Sequence, residues 1–333
     1  MHLLAGDVGG TKCWLALYES RPDGSLAEIR EARLPSADFA SLGDLARAFL
    51  EGDDPELAGA AFGIAGPVNG RHVKVTNLPW DIDADELEAQ LGVPHVALAN
   101  DFVALARGLD ALGPESLATL QDAPVDAKGP RVLIGAGTGL GQAVIVPTSE
   151  GPRILGSEGG HTDFAPRDAF EDALLAFLRE RLKGRVSVER VVSGRGVHAI
   201  YDFVVATGRA PMNAARHAAI EAGDPGAEIG KGAAAGEPAC VLAQDRFVAA
   251  YGAEAGNLGL KVIAPGGLYV AGGIAPKLLA HYGDEFAAHF MPPFLAKGRM
   301  RPVLERTRVQ VVTEPKVGLL GARELAREAM GQP

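Results

Sequence analysis

Short apolar runs punctuated by glycine organise the chain. Leu3–Val8 reads as a buried strand, Gly9-Gly10-Thr11 as a tight turn and Cys13–Tyr18 as a second strand. A comparable unit recurs downstream. Val132-Leu133-Ile134 is a strand, Gly135–Gly141 a turn, and Ala143–Val146 the returning strand. Both turns carry Gly-Thr between β-rich segments, which predicts an internally duplicated α/β architecture. Between them, Ala58–Ile64 forms an apolar strand that ends in Ala65-Gly66-Pro67, and His95–Ala99 forms another. Asp83 and Glu86 make a capping-box pattern for a short helix carrying Leu87 and Leu91, and Asn100-Asp101 opens an apolar helix over Phe102–Leu109. Gly113–Gly129, with its prolines and glycines, predicts a domain boundary. Glu171–Leu182 is amphipathic, with Leu174, Leu175 and Leu178 on one face. Gly208–Glu237 is too rich in Ala and Gly for periodicity to assign elements. Gly267–Val270 reads as a strand running into Gly272-Gly273, and a helix over Leu319–Met330 closes the chain.

Composition narrows the function classes. At 333 residues, with 47% hydrophobic and 22% charged residues, the chain suits a soluble globular protein of two domains. No run approaches the roughly 20 apolar residues needed to span a bilayer. The opening Met1-His2-Leu3-Leu4-Ala5-Gly6-Asp7 lacks the basic and long apolar regions of a signal peptide, so a cytoplasmic protein is expected. Cys13 and Cys240 alone cannot make a disulfide framework or a Cys-rich zinc site. A net charge of -10 argues against nucleic-acid or membrane partners. It leaves nucleotide binding open, because backbone N–H groups and a metal ion can supply local positive field.

Where the 43 glycines fall decides which nucleotide machinery fits. Gly230-Lys231 is followed by Gly232 and has no glycine at the upstream position of a Walker A loop. Gly135 and Gly137 begin a dinucleotide fingerprint, but Leu140 fills its third position and Val144-Ile145-Val146 beyond it is strand chemistry. What remains is a pair of β-turns whose glycines let phosphate approach the backbone, with Asp7 able to bind Mg²⁺ directly or through water. Either turn alone reads as an ordinary hairpin. Two of them, with Gly272-Gly273, favour a nucleotide site. Glu158 and His161 have the i,i+3 spacing of metal ligands on a helix, but the intervening Gly159-Gly160 disfavours a helix. A loop presenting an acid and an imidazole suits vicinal hydroxyls better; the alternative for His161 is a buried, hydrogen-bonded residue. Asp101 lies just past a strand, where α/β folds present functional groups, but its spacing alone favours a helix cap, unless Asn100 takes that place.

Gly6-Asp7-Val8-Gly9-Gly10-Thr11 resembles the first phosphate motif of the actin-like sugar kinases, and Gly135–Gly141 the second. Ala271-Gly272-Gly273-Ile274 resembles their adenosine motif. Further motifs narrow the resemblance to bacterial glucokinase: Thr76-Asn77-Leu78-Pro79-Trp80, Asn100-Asp101-Phe102, Glu158-Gly159-Gly160-His161-Thr162-Asp163-Phe164-Ala165-Pro166 and Glu189-Arg190-Val191-Val192-Ser193-Gly194. They run in the family's order from the first strand to Gly318-Leu319-Leu320-Gly321.

The resemblance implies an α/β, actin-like (ribonuclease H-like) duplicated fold with two domains around a central cleft. The small domain would comprise 1–112 plus 313–333, and the large domain 113–312. It implies ATP-dependent phosphorylation of glucose at the 6-hydroxyl, with Mg²⁺. Asp101 would be the general base. Asn77, Asn100, Asp101, Glu158, His161 and Glu189 would contact sugar, and Trp80 would pack. Gly9, Gly10, Thr11, Gly137, Thr138, Gly139, Gly272 and Gly273 would hold nucleotide, with Asp7 at the metal. A homodimer follows by family analogy. The repressor relatives' cysteine-rich zinc motif is not possible with two cysteines, and an added DNA-binding domain is not expected in a chain that opens on the first phosphate motif. Lys12 and Arg195 depart from the family, which usually has Asn and Pro there, and bear on nucleotide binding only. The competing readings are a kinase for another hexose and a non-catalytic actin-like sugar sensor.

Overall fold

The computed structural model describes residues 1–330 except 53, 54, 76 and 77. The chain divides into two compact units, Met1–Ser116 with Glu314–Pro333, and Leu117–Thr313.

In the first unit β1 (His2–Val8), β2 (Lys12–Ser20), β3 (Leu26–Pro35), β4 (Leu57–Ile64) and the later β8 form one sheet. A small three-stranded sheet, β5 (Val68–Asn69), β6 (His72–Lys74) and β7 (Asp81–Asp83), precedes β8 (Val96–Asn100). The main order is β3-β2-β1-β4-β8; β1 runs antiparallel to β2 and parallel to β4, which is parallel to β8. Side chains alternate across a strand, so the apolar run of β1 feeds two cores. Leu4 and Val8 pack with Leu15, Phe62 and Trp80 on one face, together with α1 (Leu42–Leu50) and α2 (Ala84–Leu91). Leu3 and Ala5 pack with Tyr18 and with Leu319, Ala322 and Ala326 of the C-terminal helix Val317–Ala329 on the other. A fully buried side chain such as Phe62 contributes on the order of 2 kcal/mol.

Local signals explain most boundaries. Asp83 caps α2 by accepting from the N–H groups of Asp85 and Glu86, and Gly92 ends it in the left-handed region at φ 63°. β8 starts one residue later than the apolar pattern predicts and extends through Asn100. Asn100 is the N-cap of α3 (Asp101–Gly108), which settles the capping question in favour of Asn100. α3 packs on the C-terminal helix so closely that a Cβ on Gly321 would stand 1.7 Å from the Ala104 carbonyl oxygen.

In the second unit β9 (Leu117–Gln121), β10 (Arg131–Ala136), β11 (Leu140–Val146), β12 (Arg153–Ser157), β13 (Leu268–Ala271) and β14 (Val309–Val312) form a sheet ordered β12-β11-β10-β13-β14-β9. β10 is antiparallel to β11 and parallel to β13, and β13 is parallel to β14. Five strands thus repeat the order and directions of the first sheet. The stretch from Gly113 to Gly129 also supplies β9, an edge strand antiparallel to β14.

Helices α4 (Ala169–Leu182), α5 (Gly194–Ala206), α6 (Ala214–Ala222), α7 (Pro225–Ala234), α8 (Pro238–Val262), α9 (Ala275–Tyr282), α10 (Glu285–Leu295) and α11 (Arg301–Leu304) complete the unit. Leu174, Leu175 and Leu178 of α4 join its core, as their spacing predicts. The Ala- and Gly-rich region becomes α6 and α7, capped by the side chains of Asn213 and Asp224. Those caps were readable where periodicity was not.

Candidate active site

Parallel pairing brings the C-terminal ends of three strands of the first unit into line. Asp7 pairs with Gly63 and Val8 with Ile64 across β1 and β4, and Ile64 pairs with Asn100 across β4 and β8. Asp7 and the Asn100-Asp101 pair therefore lie at one edge of the sheet, where α/β folds present functional groups. Asn100 is oriented from both ends of its amide. Its Oδ1 accepts the Phe102 N–H at 3.0 Å, and its Nδ2 donates to the Gly66 carbonyl at 3.0 Å. The Asp101 carboxylate also lies 3.0 Å from the Phe102 N–H.

Asp7 keeps part of its surface accessible, yet the protein packed around it strips away enough water to matter. Burial first, and the nearby Asp101 charge second, push its carboxyl up to about 6. Its Oδ2 would be 2.9 Å from a Cβ on Gly318 at the start of the C-terminal helix. A desolvated acid beside a second acid is a donor set that a hard cation suits, so Asp7 fits a Mg²⁺ site.

The Gly9-Gly10-Thr11 turn closes the β1–β2 hairpin. The Gly9 N–H donates to the Lys12 carbonyl at 3.1 Å. Ser36, fully buried, pins the turn from behind: its hydroxyl donates to the Gly9 carbonyl at 2.9 Å and its N–H to that of Thr11 at 3.0 Å. Nothing in the sequence near Ser36 signals this role. Thr11 and Lys12 are exposed. Asn77 lies outside the described residues. Trp80 is buried and donates its indole N–H to the Phe39 carbonyl, a packing role.

The second unit repeats the geometry with different chemistry at its edge. Gly135 of β10 pairs with Ala271 of β13, which places the Gly137-Thr138-Gly139 turn and Gly272-Gly273 just past neighbouring strand ends. Tyr251, buried on α8, ties the two together. Its hydroxyl accepts the Ala136 N–H at 3.0 Å and lies 3.3 Å from the Ala271 carbonyl oxygen, and burial raises its pKa far above the ordinary tyrosine value. Sequence gave no hint of this tyrosine, because the contact spans 115 residues. Gly272 adopts φ 82°, and a Cβ there would stand 2.7 Å from the Ala136 carbonyl oxygen, so only glycine fits. Gly137 and Gly273 differ: a Cβ on either would meet nothing within 4 Å. Their bare backbone faces open space, which fits close approach of a phosphate or nucleoside.

Glu189 lies in a 3₁₀ turn, Val188–Arg190, and its Oε2 accepts the Leu140 N–H at 3.0 Å. Gly194 donates its N–H to the Gly137 carbonyl at 2.8 Å, and the Ser193 hydroxyl donates to the Glu189 carbonyl at 2.7 Å. This segment is thereby laced to the glycine turn. Glu158 precedes, and His161 ends, a single 3₁₀ turn, Gly159–His161; the segment is not an α-helix, as expected, but forms this tighter turn. Their side chains are exposed, with His161 Nε2 3.7 Å from Glu158 Oε2, so His161 is not a buried structural histidine. Arg185 holds the turn by donating to the His161 carbonyl at 2.6 Å and to Asp163 at 3.0 Å. A cavity of about 460 Å³ opens beside Asp163 and Arg185, but no expected contact residue lines it.

Arg195 is exposed near the start of α5. Among the described residues, His198, Asp202 and Glu221 form a trio with ligand atoms within 4.8 Å of one another. His198 Nε2 lies 3.2 Å from Asp202 and 3.5 Å from Glu221, and the neighbouring Asp202 carboxylate is the main influence raising the His198 pKa. No helix among the described residues is long and apolar enough to cross a membrane.

The family model described as Glucokinase matches residues 4–329. A glucokinase of Nostoc punctiforme is 42% identical over 335 residues, covering 96% of this chain and 97% of that protein. The crystal structure of a glucokinase from an Antarctic psychrotroph is similar at a TM-score of 0.83 and 28% identity, covering 98% of this chain and 99% of that one. A ROK family glucokinase from Streptomyces griseus, in complex with glucose and AMPPNP, shares the fold at a TM-score of 0.67 and 21% identity, covering 98% and 100% of the two chains. The chain belongs to the glucokinase family, with a mixed α/β fold built on two main sheets.

Proposed function

We propose that this glucokinase-family chain transfers the γ-phosphoryl group of ATP to the 6-hydroxyl of D-glucose, with Asp101 as the general base. Family membership over nearly the whole chain carries the reaction: ATP-dependent phosphorylation of glucose. The assignment of Asp101 is supported by its place at the strand-end edge next to Asp7, while Asn100 holds the cap position. As the 6-oxygen attacks the γ-phosphorus, the bond to the β,γ-bridging oxygen breaks and the hydroxyl proton passes to the Asp101 carboxylate. Glucose 6-phosphate and ADP leave. Glu158, His161 and Glu189 orient the other sugar hydroxyls, with Asn77 and Asn100. The Gly9–Thr11 and Gly137–Gly139 turns take the phosphates, and Gly272-Gly273 takes the adenosine. Asp7 would hold Mg²⁺, directly or through water, and the ion supplies neutralisation of phosphate charge.

The same reading takes the two sheets as a duplicated actin-like fold, supported by their shared strand order. It assigns 1–112 with 313–333 to a small domain, 113–312 to a large one, and expects a cytoplasmic homodimer. A coupled assay across glucose, mannose, fructose and N-acetylglucosamine tests the substrate. Turnover fastest on glucose is expected; a clear preference for another hexose would replace glucose in this assignment.

A further inference from the structure

The Glu158–His161 turn rests on a buried polar network that the reaction itself does not use. Gln142 of β11 and Glu254 of α8 are 2% and 4% exposed. Gln142 Nε2 donates to Glu254 Oε1 at 3.0 Å. The other carboxylate oxygen accepts from Asn257 Nδ2 at 2.9 Å, and Asn257 Oδ1 in turn accepts from Lys297 Nζ at 2.6 Å. Lys297 also donates to the Ala253 carbonyl at 2.9 Å, and Lys261 Nζ approaches Glu254 Oε1 at 3.8 Å.

Burying a carboxylate is expensive, and well-packed apolar groups usually stabilise a fold at least as well. What the network delivers is orientation. A carboxylate only accepts hydrogen bonds, so Glu254 compels Gln142 to turn its amino group inward and its amide oxygen the opposite way. That oxygen lies against Gly159: a Cβ there would stand 2.0 Å from it. Gly160 is seated just as tightly, since its Cβ would be 2.1 Å from the Leu140 carbonyl oxygen. The Leu140 N–H holds Glu189. The first three residues of β11 therefore form a platform to which Glu158, His161 and Glu189 are all referenced.

We propose that Gln142, oriented by Glu254, is a positioning residue that sets glucose affinity through the Gly159 turn. The proposal rests on the reading that Glu158 and His161 contact glucose. Misplacing contact groups by about 1 Å can cost up to 10²-fold, and supporting residues govern that placement.

The test is steady-state kinetics and calorimetric titration of the full chain carrying Gln142→Met, Glu254→Gln, or both Gln142→Met and Glu254→Met. Gln142→Met should raise KM for glucose roughly tenfold while KM for ATP stays within about twofold. Glu254→Gln keeps one carbonyl acceptor but opposes its amino group to either Gln142 Nε2 or Asn257 Nδ2, so it should weaken glucose less than Gln142→Met does. The double methionine variant removes both members of the buried Gln142–Glu254 pair and deprives only the half-buried Asn257 Nδ2 of a partner, so its thermal stability should exceed that of Gln142→Met while glucose binding stays weak. Adding Glu158→Gln to Gln142→Met should cost less than the product of the two separate losses. Equal losses for glucose and ATP, recovery of glucose affinity in the double variant, or fully multiplicative losses would each overturn the proposal. If Glu158→Gln and His161→Ala leave glucose affinity intact, the reading of the turn fails instead. If they weaken glucose while Gln142→Met does not, only the positioning role fails.

Discussion

Both units carry a glycine hairpin at the edge of a sheet with the same strand order, yet the acids beside the two hairpins live in different environments. In the first, Asp7 stands within β1, surrounded by protein and close to Asp101, and its proton is held up to about 6. In the second, Glu158 and His161 stand on a turn with more than half of each side chain exposed. Desolvation changes the affinity of a carboxyl for protons and cations, whereas Glu158 and His161 offer accessible hydrogen-bonding groups on a turn held by Arg185. On the proposed assignment, one scaffold supplies charge chemistry in one unit and hydroxyl recognition in the other.

The sharpest way to break this contrast is Asp101→Asn, which keeps shape and removes the proton acceptor. Turnover should fall by about 10²–10⁴ with glucose affinity little changed. A loss of only a few-fold would strip the first unit of its chemical role.

Asp7→Asn should reduce turnover by roughly 10–100-fold and raise the Mg²⁺ concentration needed. It should also stabilise the metal-free protein at neutral pH, and the sign follows from linkage. An acid whose folded pKa is raised stabilises the fold fully below its unfolded value near 4, and that contribution is lost as pH rises through about 6. The amide escapes the loss, so thermal melts should favour Asp7→Asn at pH 8 and converge near pH 4. An unchanged Mg²⁺ dependence with no pH-dependent melt difference would make Asp7 an ordinary surface acid.

In the second unit, Glu158→Gln or His161→Ala should weaken glucose by roughly 5–150-fold, the range for one unpaired polar group, with much less effect on ATP. Melting temperatures should hardly move, because both side chains are exposed. Equal calorimetric losses for the two ligands would return these residues to structure.

The smallest effect on catalysis, but a clear one on folding, belongs to Gly321→Ala. Its methyl would press on the Ala104 carbonyl in the helix that carries Asp101, and should cost about 1–3 kcal/mol in chemical denaturation. Wild-type stability would mean that the two helices can part without strain.

Sequence alone determined the elements whose cause is local. Apolar runs became strands, Asp83 became a cap, and the glycine turns fell between the strands they separate. Both hairpins and the order of motifs were legible because each signal spans a few neighbouring residues. The Gly208–Glu237 region defeated periodicity, since alanine marks neither face of a helix, although Asn213 and Asp224 announce its two helices. Tertiary structure decided the rest. It showed that Asn100 takes the cap beside Asp101, that Ser36 and Tyr251 brace the glycine motifs, and that Gln142 and Glu254 lie beneath the Gly159 turn. It also gave Asp7 its raised pKa, which no neighbouring residue in sequence could cause. Burial, and contacts between residues more than a hundred positions apart, arise only when the chain folds back on itself, and the sequence carries no local record of them.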